Sequence, residues 1–171
     1  TIGGVNYFQN AFDTVTNGMD FVVTYTMGDT VLSTSINYNK TEIDSDASEF
    51  LNAEDQHDLE NAIPEWRGVA SAKHSFDALT LLVRANVYGS YTNAIASDAS
   101  TKQDYDPTVF FDLEASYIIS DNVTIAAGAR NIFDEYPDKD NGDECCGAVY
   151  WSSNIVDWQG GYYYMRLNTV F

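Results

Sequence analysis

Apolar and polar positions alternate with a period of two along most of this chain. That spacing puts successive side chains on opposite faces of an extended strand. In Gly18–Met27 the residues Met19, Phe21, Val23, Tyr25 and Met27 share one face. In Thr30–Asn39, Leu32, Thr34, Ile36 and Tyr38 oppose Ser33, Ser35, Asn37 and Asn39. In Leu79–Tyr91 the series from Leu79 to Val87 opposes Thr80, Leu82, Arg84, Asn86 and Tyr88. Thr108–Ile119 sets Val109, Phe111, Leu113, Ala115, Tyr117 and Ile119 against Asp112, Glu114 and Ser116. Val123–Asn131 turns Ile125, Ala127 and Ala129 away from Gly128 and Arg130. With Gly3–Gln9, Trp66–Phe76 and Gly160–Phe171 the pattern predicts about eight strands and an all-β, antiparallel chain.

The connections alternate in length. Gly28-Asp29, Asp77-Ala78 and Ser120-Asp121-Asn122 are short turns, whereas residues 41–63, 92–107 and 133–159 are long. Within the first long stretch Phe50, Leu51, Leu59 and Ile63 mark a short helix, which Pro64 ends. Strands of about ten residues suit a tilted crossing of a hydrocarbon core. The alternation matches transmembrane barrels, with short turns on the periplasmic side and long loops outside. A soluble sandwich has no such regularity. The mid-strand charges Arg84, Asp112, Glu114 and Arg130 all fall on the face of small or polar residues. A watery barrel interior accepts them and lipid does not. No apolar run approaches the ~20 residues of a helical membrane span.

Composition adds to this picture. Twelve Tyr, nine Phe and three Trp suit strands and interfacial girdles. A net charge of −18 disfavours nucleic acid, which needs clustered Lys and Arg. The acids concentrate in 42–60, 98–106 and 134–157, either as solvating loops or as a surface facing divalent cations or a cationic ligand. Cys145 and Cys146 are adjacent. They allow a strained vicinal disulfide or pairing with cysteines elsewhere, in an oxidising compartment. The run from Asp138 to Glu144 looks like a calcium loop, but its Gly comes one position early and Val149 stands where the closing Glu belongs. No cofactor is expected; a loop-bound divalent cation is the one metal alternative. Tyr150, Trp151 and Trp158 are candidates for stacking on a sugar or aromatic ligand. His57 and His74 have no evident nucleophile partner, so no enzyme is expected, and a membrane-barrel hydrolase is a reading without a Ser-His constellation.

From Thr108 to Pro137 an Asp-bearing strand is followed by a short turn and a strand entering the box Arg130-Asn131-Ile132-Phe133-Asp134, then Tyr136-Pro137. This segment resembles the carboxyl end of TonB-dependent outer-membrane receptors. The final strand also fits, opening with Gly160 and aromatics and ending in Phe171. Weaker matches lie upstream at Asn10, Gly18, Asp20 and Pro64 to Arg67. The resemblance implies that residues 1–171 are the carboxyl-terminal portion of a barrel of roughly 22 strands that encloses a plug domain. It implies energy-coupled uptake of a scarce solute, most often an iron–siderophore complex, across a Gram-negative outer membrane. The expected partners are outer-membrane lipid, the plug, the TonB coupling protein and the barrel assembly machinery. On this reading Arg84, Asp112, Glu114 and Arg130 face the plug or the substrate. The box from Arg130 to Asp134 sets the strand end, and Phe171 belongs to the strand read during assembly. A small eight-stranded barrel with a structural or adhesive role is the alternative.

Overall fold

The computed structural model describes residues 11–141, 149–150 and 155–170. The predicted strand at Gly3–Gln9, the pair Cys145 and Cys146, Trp151 and Phe171 lie outside them. Among the described residues nine strands and one helix follow in chain order: β1 (Thr14–Met27), β2 (Thr30–Ile43), α1 (Ala53–Asn61), β3 (Trp66–Phe76), β4 (Leu79–Tyr88), β5 (Tyr91–Ala94), β6 (Lys102–Tyr105), β7 (Thr108–Ser120), β8 (Val123–Arg130) and β9 (Tyr162–Thr169). Seven of them form one antiparallel sheet in the order β1-β2-β3-β4-β7-β8-β9, and β5-β6 form a separate hairpin. Among the described residues the sheet is an open meander: β1 and β9 are its two edges and do not pair with each other.

Register lines up apolar rows across neighbouring strands on one face of the sheet. Phe21 faces Ile36, Ile36 faces Gly68, and Gly68 faces Val87. Val83 likewise faces Ala72 and Leu113, and Leu113 faces Ala129. This face stays open: Met19 is 69 % exposed, Tyr163 79 % and Met165 75 %. An apolar surface of that extent demands a partner or a non-aqueous solvent. The opposite face pairs polar residues, such as Asn37 with Arg67, Ser71 with Arg84, and Arg84 with Asp112. A shift in register between Ile118 and Ser120 takes Ile119 out of the regular apolar row it was expected to extend.

The buried cluster sits at the long-connection end, where Tyr91, Tyr105, Phe110 and Val156 pack together with Tyr88 against them. Tyr88 and Phe110 share the polar face with Asn86 and Thr108, so the β5-β6 hairpin folds inward over that face. Its strands were not expected within 92–107. Tyr91 and Tyr105 pair across the hairpin and stack at 4.3 Å between ring centroids. That stacking holds two four-residue strands too short to be stable alone.

The acidic connections are tied together by their carboxylates. Asp58 accepts from the Ala94 N–H at 2.7 Å, Glu60 from Ile43 N–H at 2.9 Å, and Asp138 from Asp106 N–H at 2.8 Å. Gln103 donates to the Lys139 carbonyl and accepts from Asn141 N–H, each at 2.7 Å. Helix α1 starts where Asn52 accepts from Asp55 N–H at 2.8 Å, with Glu54 and Asp55 favourable in its first turn. These loops are therefore more than solvated charge: they form a joined cap at one end of the polar face.

Candidate functional site

Five of the eight Lys and Arg residues, Arg67, Lys73, Arg84, Arg130 and Arg166, occupy polar-face positions. The acids sharing that face are Asp20, Asp112 and Glu114. The four residues anticipated from strand parity (Arg84, Asp112, Glu114 and Arg130) line a single concavity of about 500 Å³, with Tyr162, Tyr164 and Arg166.

The carboxylates in it are fully engaged. Asp112 accepts from Asn86 Nδ2 at 3.0 Å through Oδ2 and from the Asn131 backbone N–H at 3.0 Å through Oδ1. Arg84 stands 3.7 Å from the same Oδ2. Glu114 accepts from the Tyr164 hydroxyl at 2.6 Å and from Arg166 Nη2 at 3.0 Å. Arg130 lies 5.7 Å from the centroid of the Tyr162 ring, a cation–π distance. With Glu114 taken by Tyr164 and Arg166 and Asp112 by Asn86 and Asn131, the guanidinium groups of Arg84 and Arg130 are the residual positive features of this concavity.

Tyr162, Tyr164 and Arg166 alternate along β9 on one face, opposite Arg130, Gly128 and Ala126, a pairing that the sequence alone does not reveal. The signal for Tyr164 is Gly128, which stands opposite it and opposite Glu114. A Cβ on Gly128 would lie 2.6 Å from Tyr164 Cζ and 2.8 Å from the Leu113 carbonyl oxygen. The missing side chain is the space through which Tyr164 reaches Glu114. Gly128→Ala in the full-length protein is expected to cost about 1–3 kcal/mol by overpacking. Urea unfolding reads the effect, and an unchanged midpoint would contradict this packing.

The box beyond β8 closes a tight local structure. Asn131 has φ 47° and Asp134 φ 56°, both left-handed, as Asn and Asp tolerate. Asn131 is 8 % exposed and binds Glu135 twice, donating to its carbonyl at 2.7 Å and accepting from its N–H at 2.9 Å. Ile132 N–H reaches the Phe111 carbonyl at 2.8 Å, and Phe133 meets Phe111 edge-on at 5.7 Å. Asp134 accepts from Tyr136 OH at 3.0 Å and Gly161 N–H at 2.8 Å, which ties the start of the third connection to its end. Gly160 has φ +79°, and a Cβ there would strike the Tyr136 hydroxyl.

The described aromatic candidates, Tyr150 and Trp158, are not among the residues that line the concavity. Tyr150 stacks on Tyr136 at 6.0 Å, and Trp158 is half exposed. His57 is 3.2 Å from Asp58 and His74 2.7 Å from Thr30; the described hydrogen bonds bring no Ser or Cys to either ring.

Against this geometry, the family model described as TonB dependent receptor-like, beta-barrel matches residues 1–132. No curated protein matches the sequence. Among solved structures, a mutant of the ferric enterobactin receptor PfeA from Pseudomonas aeruginosa is 17% identical with a TM-score of 0.65, covering 92% of this chain and 22% of that one. The pyoverdine outer membrane receptor FpvA from Pseudomonas aeruginosa PAO1, bound to pyoverdine, is 16% identical with a TM-score of 0.63, covering 94% and 22%. The copper transporter OprC is 15% identical with a TM-score of 0.65, covering 94% and 24%. The chain thus spans about a quarter or less of the length of these proteins. They are receptors and transporters rather than enzymes, and at this identity their likeness shows the fold.

Proposed function

The chain belongs to the TonB-dependent receptors, by the β-barrel of that family, and we propose that it is the carboxyl-terminal part of the barrel wall of an outer-membrane receptor importing a scarce, large solute. The observation that carries this reading is the two-faced open sheet. One face is apolar and exposed from β1 to β9, and the other carries five cations and three acids. Lipid is the solvent for the first face, and a water-filled lumen suits the second. Among the described residues β1 and β9 leave two unpaired edges, which have no place in a bilayer, so further strands complete the wall.

An iron–siderophore complex is the solute class we favour. Receptors for enterobactin and pyoverdine share the fold, and a copper transporter shares it too. The acidic long connections favour a ligand that presents a metal or positive charge over a bare polyanion. Energy comes from the inner membrane through TonB, acting on parts of the receptor outside this chain. Within the lumen, Arg84 and Arg130 are proposed to meet the plug or the passing solute.

The test is uptake of radiolabelled ferric siderophores by iron-starved cells that express the full receptor. Loss of the gene is expected to abolish uptake of one siderophore class. Arg84→Gln combined with Arg130→Gln is expected to lower uptake about tenfold at equal receptor abundance, the scale of one lost charged contact. Undiminished uptake of every siderophore after gene deletion would refute the siderophore assignment.

A further inference from the structure

We propose that Arg67, at the long-connection end of the lumen wall, anchors the carboxylate of an organic acid that also carries hydroxyl or amide hydrogens. The proposal rests on reading the polar face as a lumen wall. Arg67 lies near the start of β3, opposite Asn37 on β2 and Tyr88 on β4. Two adjoining hollows meet there. The upper one, of about 400 Å³, extends to Leu59, Ile63 and Pro64 at the end of α1 and just beyond it. The lower one, of about 270 Å³, reaches Asp20 and Asn86. Arg67 and Asn37 line both.

Other guanidinium groups of this wall have partners. Arg84 and Arg166 face carboxylates at 3.7 Å and 3.0 Å, and Arg130 lies over the Tyr162 ring. Among the described residues Arg67 has no ion pair and no hydrogen bond. The acids of the two hollows leave it free. Asp20 accepts from Asn37 Nδ2 at 2.7 Å, and Glu60 accepts from Ile43 N–H at 2.9 Å. Glu65 lines the upper hollow without an ion pair to Arg67. An exposed guanidinium is stable in water, so its freedom alone marks nothing. The amides beside it supply the second observation.

A carboxylate only accepts hydrogen bonds, so Asp20 turns the nitrogen of Asn37 toward itself. The Asn37 oxygen then faces Asn39, whose Nδ2 donates to it at 2.7 Å. Both amides are thereby held in one orientation. Each nitrogen keeps a second N–H with no described partner. Gly18 makes room for this relay, because a Cβ there would lie 2.7 Å from Asn39 Oδ1. Two oriented N–H donors beside a free guanidinium form a preorganised receptor for an oxyanion.

The rest of the lining narrows the ligand. The planar fork of an arginine matches a carboxylate through two parallel hydrogen bonds. Glu60 and Glu65 supply acceptors for hydroxyl or amide hydrogens and disfavour a second negative charge. Leu59 and Ile63 are exposed and give the upper hollow an apolar flank for an aliphatic body. A hydroxycarboxylate with a short aliphatic tail has this pattern. It can arrive as a free small acid or as one arm of a larger solute.

The full-length receptor in detergent is to be probed with 2-hydroxyisocaproate by saturation-transfer NMR, with the neutral amide of the same compound as control. Saturation of the probe methyl groups is expected, with the amide bound at least about tenfold more weakly, the scale of a lost charged hydrogen bond. Arg67→Gln should weaken binding of the acid by a similar factor and leave the amide nearly unchanged. Heat-modifiable gel migration reports whether each variant is folded. If Arg67→Gln does not fold, Arg67→Lys decides: it keeps the charge but loses the fork, so weakened binding of the acid supports the anchor and unchanged binding overturns it. Absence of saturation, equal binding of acid and amide, or binding indifferent to Arg67→Gln in folded protein also overturns the proposal. Uptake of carboxylate-bearing ferric siderophores separates the two sources. A loss with Arg67→Gln assigns the carboxylate to the transported solute, and unchanged uptake with lost probe binding assigns it to a free acid. The NMR readout does not depend on transport, so failure of the uptake reading and failure of this site are told apart.

Discussion

Val83→Arg in the full receptor is expected to destabilise the folded barrel by about 2–4 kcal/mol, the cost of an arginine near the bilayer midplane. Val83 sits in the middle of β4, which lies between β3 and β7 in the sheet. Its cross-strand neighbours Ala72 and Leu113 are both small or apolar. It is 46 % exposed in the protein alone, so on the proposed reading lipid is what covers it. A guanidinium there has no acceptor within the row, and mid-strand it is far from either interface. Leu82→Arg is the matched control. Leu82 is next in sequence but points to the other face, opposite Lys73 and Glu114. A carboxylate beside it and water around it should keep the cost within about 0.5 kcal/mol. Denaturant titration of both variants folded into vesicles, followed by gel migration, separates the two. Equal costs would mean that the lipid and lumen faces have been assigned the wrong way round or that neither meets lipid.

The strands were legible because a sheet with one apolar and one polar face writes a period of two into the sequence. Trp66–Phe76 is found with the limits its turn signals gave, and β4 ends three residues before the expected Tyr91, where Gly89 receives the Trp66 ring. Strand β1 begins earlier than expected because Thr14 to Asn17 pair with Ile43 to Lys40 above the apolar band. Those residues, Thr-Val-Thr-Asn, carry no clear alternation of apolar and polar side chains. The β5-β6 hairpin escaped notice for a related reason. Tyr91-Thr92-Asn93-Ala94 and Lys102-Gln103-Asp104-Tyr105 have no strand pattern, and the hairpin exists through stacking on residues remote in sequence. The acidic connections read as solvation because composition cannot say which backbone N–H a carboxylate will find. Within the lumen wall, parity placed Asp112 and Arg84 on one face. Only the register could show that Gly128 makes room for Tyr164 to reach Glu114.

Asp112→Ala is expected to be the most damaging single change on the lumen face, at about 2–4 kcal/mol. Its carboxylate is 17% exposed and serves three groups at once. The ion pair with Arg84 is the least of them. At 3.7 Å, with Arg84 38% exposed, it contributes under about 1 kcal/mol. The larger loss is the Asn131 N–H, because Asn131 is buried and held at a left-handed φ by its bonds. A buried donor stripped of its acceptor costs about 1–3 kcal/mol. The Asn86 amide adds a smaller amount. The ranking makes the mechanism testable. Asp112→Asn keeps an oxygen for Asn131 N–H and should recover more than half of the loss, whereas Arg84→Gln should cost much less than Asp112→Ala. Because Asn131 anchors the third connection through Glu135, Asp112→Ala should also speed protease cleavage beyond Pro137 in folded receptor. If Arg84→Gln proves as costly as Asp112→Ala, the ion pair rather than the backbone bond holds this corner, and the box from Arg130 to Asp134 is not what Asp112 secures.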